Sequence, residues 1–337
     1  MDVVVCAQPG ELKLEQRPEP VRGEREVLVR IRRVGVCGTD MHIFSGNQPY
    51  LSYPRVMGHE LSGEVVEAPS GNDLQPGDPV YIIPYISCGS CVACRKGKDN
   101  CCTNIGVLGV HRDGGLAQYL SVPERFVRSA KGITLDQAAM LEFLAIGAHA
   151  VRRGNPGKGD KVLVVGAGPI GIGVALFAKL RGAEVAVIDG REDRLAFCRE
   201  KIGVAATFAI GETMRDELAA HTGGDFFDVV FDATGNPKAM EAGFLYVAHG
   251  GAYVLVSIVA SEIRFSDPEF HKREMTLIGS RNALKADFDH VAASIRNGAV
   301  PLAKLVTHRT TLAGTPHDLA RWAHEKSGLI KAVIEIG

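Results

Sequence analysis

The stretch 161-KVLVVGAGPIGIGVALFAKLRGAEVAVID-189 decides the architecture of half the chain. An apolar run, three glycines spaced G-x-G-x-x-G, a helix-like segment, a second apolar run and a terminal acid follow in the order of a βαβ unit that holds a dinucleotide. Gly166 permits the tight turn, and Gly168, with Pro169 and Ile170 after it, brings the backbone to a pyrophosphate at the helix N-terminus. Gly171 lets helix and strand pack closely. Asp189 is placed to accept hydrogen bonds from the adenosine ribose and to repel a 2′-phosphate, so the expected cofactor is NAD. Arg191, two residues on, is the feature that would instead favour NADP. Arg194, Ser257 and Arg281 are the further residues expected against the cofactor.

Downstream of this unit, 205-AATFAI-210, 226-FFDVVFD-232, 252-AYVLVSI-258 and 275-MTLIGS-280 bring the strand candidates to six. Helix-like segments between most of them give the pattern of a doubly wound parallel sheet in an α/β domain. Upstream, residues 1–150 read as short alternating strands such as 26-EVLVRIRRV-34 and 61-LSGEVVEA-68, with helical periodicity nearly absent before Leu135. The loop-like 152-RRGNPGKGD-160 marks a boundary, giving a β-rich domain over 1–150 and a dinucleotide domain over 151–286. The final stretch, 287–337, holds two helix candidates and a closing strand, 331-KAVIEI-336. Its texture leaves open which domain receives it.

Composition narrows the function. At 337 residues the chain has length for two domains, and 46% hydrophobic with 23% charged residues is the balance of a packed globular protein. A formal charge of −1 argues against nucleic acid as partner, because neutralising phosphates needs a basic face. No basic-then-apolar leader opens the chain and no run of ~18 apolar residues occurs, so the expectation is a cytoplasmic protein without a membrane partner.

Five of the eight cysteines lie between Cys88 and Cys102. Cys88, Cys91, Cys94 and Cys102 offer four soft ligands in one loop, the donor set of a closed tetrahedral zinc that holds structure, with Cys101 competing for the fourth place. A second set is dispersed: Cys37-Gly38-Thr39-Asp40-x-His42, then Gly58-His59-Glu60, then Glu142. One thiolate, one imidazole and carboxylates suit an open zinc that keeps a position for water or substrate.

These segments resemble the zinc-dependent medium-chain dehydrogenase/reductase family of alcohol, polyol and threonine dehydrogenases. The motifs that carry the resemblance are VGVCGTDMH (34–42), GHELSGEVVE (58–67), the four-cysteine lobe, VVGAGPIG (164–171) and Asp189. The family pattern implies a GroES-like catalytic domain to which 287–337 returns, beside a Rossmann domain, and two zinc ions per subunit. It makes Cys37, His59 and Glu142 ligands of the catalytic zinc, with Glu60 as an alternating ligand or a carboxylate behind them. Thr39 and His42 match its proton relay. One departure is Phe143 after Glu142, where polyol-type relatives usually have proline.

Within the family, 46-GNQPYLSYPRVMGHE-60, 109-GVHRDGG-115, 232-DATGN-236 and 265-FSDPEFHKREMTLIGSRNA-283 resemble bacterial hexonate dehydrogenases. The implied reaction is oxidation of a secondary alcohol of a sugar acid or polyol by NAD, L-galactonate at C5 being the first expectation. L-Gulonate, general polyols and L-threonine are the alternatives. A non-catalytic NAD-responsive binding protein is the rival from another class, but a pure binder needs no relay. A carboxylate on the substrate needs a cation, for which His111, Arg112 and Arg281 are candidates, Arg112 reading more readily as a solvated surface charge. Family resemblance also implies a homodimer or homotetramer, with 252-AYVLVSI-258 as the pairing strand.

Overall fold

Glu26–Val36 alternates between fully and partly buried positions, as a strand with one face in the core does. Glu60–Glu67, Tyr119–Pro123 and Lys331–Glu335 all pair with it antiparallel. The computed structural model describes residues 1–48, 51–325 and 327–337, so Pro49 and Tyr50 of the segment 46–60 lie outside the described residues, as does Lys326. In sheet order the strands are Val127–Ser129, Pro79–Ile82, Glu60–Glu67, Glu26–Val36, Lys331–Glu335 and Val306–Thr311, with Tyr119–Pro123 branching from Glu26–Val36.

Two compact units divide the chain. The first comprises Met1–Glu142, Leu284–Gly298 and Leu302–Gly337, and the second Phe143–Ala283 with Ala299–Pro301. The division falls near the start of the helix Leu141–Gly154, ahead of the loop-like stretch that composition singles out. Composition marks the loop after that helix, whereas packing divides the helix itself.

The expectation of almost no helix before Leu135 needs correction at Gly38–Phe44. This helix spans only two turns of mixed polarity, too short for apolar periodicity to register. Its start is fixed by a polar contact: the Cys37 N–H donates to Asp40 Oδ2 at 2.9 Å.

In the second unit six strands form an all-parallel sheet in the order Ala206–Ala209, Glu184–Asp189, Lys161–Val165, Phe227–Asp232, Val247–Leu255, Thr276–Gly279. This is the doubly wound Rossmann sheet, with the order reversing beside Lys161–Val165. The strand expected over 252–258 begins at Val247 and lies fifth of six, hydrogen-bonded on both sides. It therefore cannot supply an open edge; Thr276–Gly279 is the edge strand on that side. Among the described residues no helix is long and apolar enough to cross a membrane.

Candidate functional site

Two segments of the first unit bring Cys37, His59 and Glu60 together. Cys37 caps the helix Gly38–Phe44, and Glu60 opens its strand directly opposite Gly35. A side chain at Gly35 would collide with Glu60 Oε2, so glycine there is what lets the carboxylate lie flat against the sheet. One donor atom from each of the three residues lies within 4.8 Å of the others. Glu142 stands outside that tight group, in the first turn of Leu141–Gly154, and the helix runs through Phe143 without the proline of polyol-type relatives.

Each of these groups is buried and only half-partnered. Glu60 Oε1 is ion-paired with Lys331 Nζ, at 0% and 1% exposure respectively. Tyr85 donates its hydroxyl hydrogen to Glu142 Oε1. His59 Nδ1 is 3.9 Å from Asp40 Oδ1. Glu60 Oε2, Glu142 Oε2, His59 Nδ1 and Asp40 Oδ1 have no hydrogen-bond partner. Burial, with Glu60 nearby, pushes Glu142 up to about 7. Burial opposes charging of His59, but Asp40, Cys37 and Glu142 outweigh it and hold its pKa well above the ordinary value. Buried oxygens left open around a thiol and an imidazole are the donor set a divalent cation completes, and zinc fits it.

The four-cysteine loop closes on itself. The sulfurs of Cys88, Cys91, Cys94 and Cys102 lie within 4.8 Å of one another, and Cys101, exposed, is not among them. Backbone N–H groups donate to the sulfurs: Cys91 N to Cys88 Sγ at 3.4 Å and Cys88 N to Cys102 Sγ at 3.2 Å. Such donors hold Cys91 down at about 5, while desolvation raises Cys94 to about 12, so the four sulfurs cannot all be thiolates without a counter-charge. A metal bound by the four sulfurs would supply that charge.

In the second unit a cavity of ≈ 480 Å³ opens at the glycine turn, lined among others by Gly166, Gly168, Asp189, Arg194, Ile210 and Thr234. Gly166 has φ +100, a backbone conformation that side chains resist, and a side chain at Gly171 would collide with the Gly166 carbonyl. Gly168 caps the helix Pro169–Leu180 with no neighbour closer than Arg194 Nη1, 3.9 Å from where a Cβ would stand. That open face is where a pyrophosphate reaches the helix N-terminus. Asp189 Oδ2 accepts from Ala167 N at 2.7 Å and Oδ1 from Arg191 N at 2.8 Å, with Arg194 Nη1 3.7 Å away. The Arg191 guanidinium grips Asp193 through two hydrogen bonds, at 3.1 and 2.6 Å.

The remaining predicted residues are more dispersed. Thr39, half-buried, and His42, exposed, are three apart on one helix and so share a face. Ser257, just past Val247–Leu255, donates its N–H to the Asp232 carbonyl at 3.3 Å. Arg281 follows the edge strand and is exposed; His111 and Arg112 are exposed on the 108–112 turn, where the Val107 N–H donates to His111 Nδ1 at 3.2 Å.

Residues 23–131 match the family model of the alcohol dehydrogenase GroES-like domain, and residues 169–297 that of the zinc-binding dehydrogenase. The chain belongs to the zinc-binding alcohol dehydrogenase family. It is 44% identical over 335 residues to the L-galactonate-5-dehydrogenase of Escherichia coli K12, covering 99% of this chain and 98% of that one. The crystal structure of an alcohol dehydrogenase from Escherichia coli CFT073 with NADH superposes with TM-score 0.93 at 27% identity, covering 99% of each chain. A Sinorhizobium meliloti 1021 structure described as a zinc-binding dehydrogenase, bound to NADP, gives TM-score 0.90 at 27% identity over 99% and 98%. As a zinc-binding alcohol dehydrogenase the protein is an oxidoreductase with zinc and NAD as cofactors.

Tyr85 and Lys331 are not singled out by the sequence, and Asp40 only as part of the Cys37–His42 motif, with no role of its own. Asp40 carried a signal, since it sits inside the Cys37–His42 motif and a ligating histidine commonly has a carboxylate behind it. Nothing in the sequence marks Tyr85 or Lys331, whose partners are 57 and 271 residues away.

Two outcomes are expected. Cys91→Ser should lower the melting temperature and remove one zinc, whereas Cys37→Ser should remove the other and abolish turnover with melting little changed, because a closed thiolate site contributes folding energy and an open one supplies the Lewis acid. Metal analysis with calorimetry on both variants checks this, and equal loss of fold and activity in the two contradicts it. Asp189→Ala should lower the kcat/KM ratio of NAD to NADP by roughly tenfold or more, since a hydrogen bond to a charged group is worth about 1.5–3 kcal/mol. Steady-state kinetics with both cofactors measure it, and an unmodified enzyme that prefers NADP refutes it.

Proposed function

We propose that the protein oxidises L-galactonate at C5 to the corresponding keto acid, hydride passing to NAD and the hydroxyl proton to solvent. The observation that carries this reading is full-length 44% identity to a dehydrogenase named for that substrate, joined to the hexonate-type segments 46–60, 109–115, 232–236 and 265–283.

Zinc, held by Cys37, His59 and Glu142 with Glu60 at hand, would supply the Lewis acid that lowers the pKa of the substrate hydroxyl. Asp40 places a carboxylate 3.9 Å behind His59 Nδ1. Thr39 takes the hydroxyl proton and His42, on the same helix face and in contact with water, passes it on. Asp189 and the glycine turn fix the adenosine and pyrophosphate of NAD. With Arg191 engaged by Asp193, the pocket favours a ribose with a free 2′-hydroxyl. Arg281 and His111 are the cations assigned to the substrate carboxylate, and clustered thiols suit the reducing cytoplasm. Pairing of the exposed edge strand Thr276–Gly279 with its copy would make the homodimer from which a tetramer can be built.

Kinetics with L-galactonate, L-gulonate and the matching neutral polyols test the assignment. L-Galactonate should be the best substrate, and Arg281→Ala or His111→Ala should cost roughly tenfold or more in kcat/KM toward it while sparing the polyol. Equal activity of the unmodified enzyme on the polyol overturns acid specificity. Sedimentation should show a multiple of 36.0 kDa; a lone monomer refutes the pairing.

A further inference from the structure

The two buried glutamates of the metal centre are built alike: in each, Oε1 is tethered and Oε2 has no partner. Their tethers differ in kind. Lys331 brings a full positive charge to Glu60, whereas Tyr85 brings a hydrogen bond and no charge to Glu142. The charge of Glu60 is therefore met by a cation of the fold itself, whereas Glu142 is held by a neutral donor.

Resting on the reading of Glu142 as a zinc ligand, we propose that Tyr85 is a positioning residue for the metal. Its hydroxyl occupies Oε1 and commits Glu142 to offer Oε2 alone, as a one-oxygen ligand. Without that tether the carboxylate is no longer held in one orientation, and Oε2 is no longer fixed toward the cation. The ring is fixed independently of the hydroxyl. Tyr85–Ile86 pairs with Gly106–Val107, at the two ends of the four-cysteine loop, and the ring meets Phe288 edge-on at 6.2 Å. Removing the hydroxyl alone thus leaves the packing in place and frees Oε1.

The test compares the unmodified holoenzyme with Tyr85→Phe, Glu142→Gln and the double variant. Two readouts other than turnover serve: zinc retention against a competing chelator, for the zinc that Cys37→Ser removes, and the visible absorption of cobalt(II) exchanged into that site. Tyr85→Phe should melt with the unmodified protein, keep the zinc of the four-cysteine loop, hold the other zinc roughly ten- to a hundredfold less tightly, and show altered cobalt bands. The double variant should bind no more weakly than Glu142→Gln, because Tyr85 acts through Glu142. If Glu142→Gln weakens binding but Tyr85→Phe leaves affinity and cobalt bands unchanged, the proposal is overturned and the ligand assignment stands. If Glu142→Gln itself has no effect, both fall. A Tyr85→Phe protein that unfolds shows the hydroxyl to be part of the core and overturns the positioning role.

Discussion

Lys331 and Glu60 form an ion pair wholly out of water, on neighbours of the central strand Glu26–Val36. Desolvating each ion costs on the order of several kcal/mol, so such a pair persists only where its geometry is held from outside. Here the holding is done by register. Gly35 pairs with Glu60 on one side and with Val333 on the other. A slip of one residue would turn either charge to the opposite face of the sheet and strand its partner. The same register sets His59 beside Cys37, so fixing the sheet and assembling the metal donors are one event.

Around that pair the site concentrates negative charge. Asp40, Glu60 and Glu142 surround a thiol and a histidine, and their open oxygens mark a place where the fold accepts a deficit that a divalent cation offsets. The four-cysteine loop is a second donor cluster, made of sulfur alone and lying nearer the surface, with Cys88 exposed and Cys102 buried. Carboxylates with open oxygens at one cluster and sulfur alone at the other would separate the chemistry of two bound zinc ions.

Local order was legible in the sequence where the constraint itself is local. The glycine turn, Asp189 and the cysteine spacing each lie within one turn or one βαβ unit, and the sulfur of Cys102, not that of Cys101, groups with the other three. The Gly38–Phe44 helix and the true sheet edge at Thr276–Gly279 were not legible. The first is too short for a period, and the second depends on which strand the chain adds last, which alternation does not encode. Tyr85 and Lys331 are further cases: an isolated tyrosine or lysine in an apolar run reads as ordinary until the strand opposite it is known.

The separation of 271 positions between Glu60 and Lys331 imposes an order on biosynthesis. Leaving the ribosome, residues 143–283 emerge as one continuous stretch and can close their parallel sheet while the first unit still lacks the strand that carries Lys331. Until that strand arrives, Glu60 must stay hydrated or protonated, and Gly35 has no neighbour on its second side. The nascent first unit is thus an open sheet with an exposed edge and an unpaired acid, waiting on the strand Lys331–Glu335 to complete it.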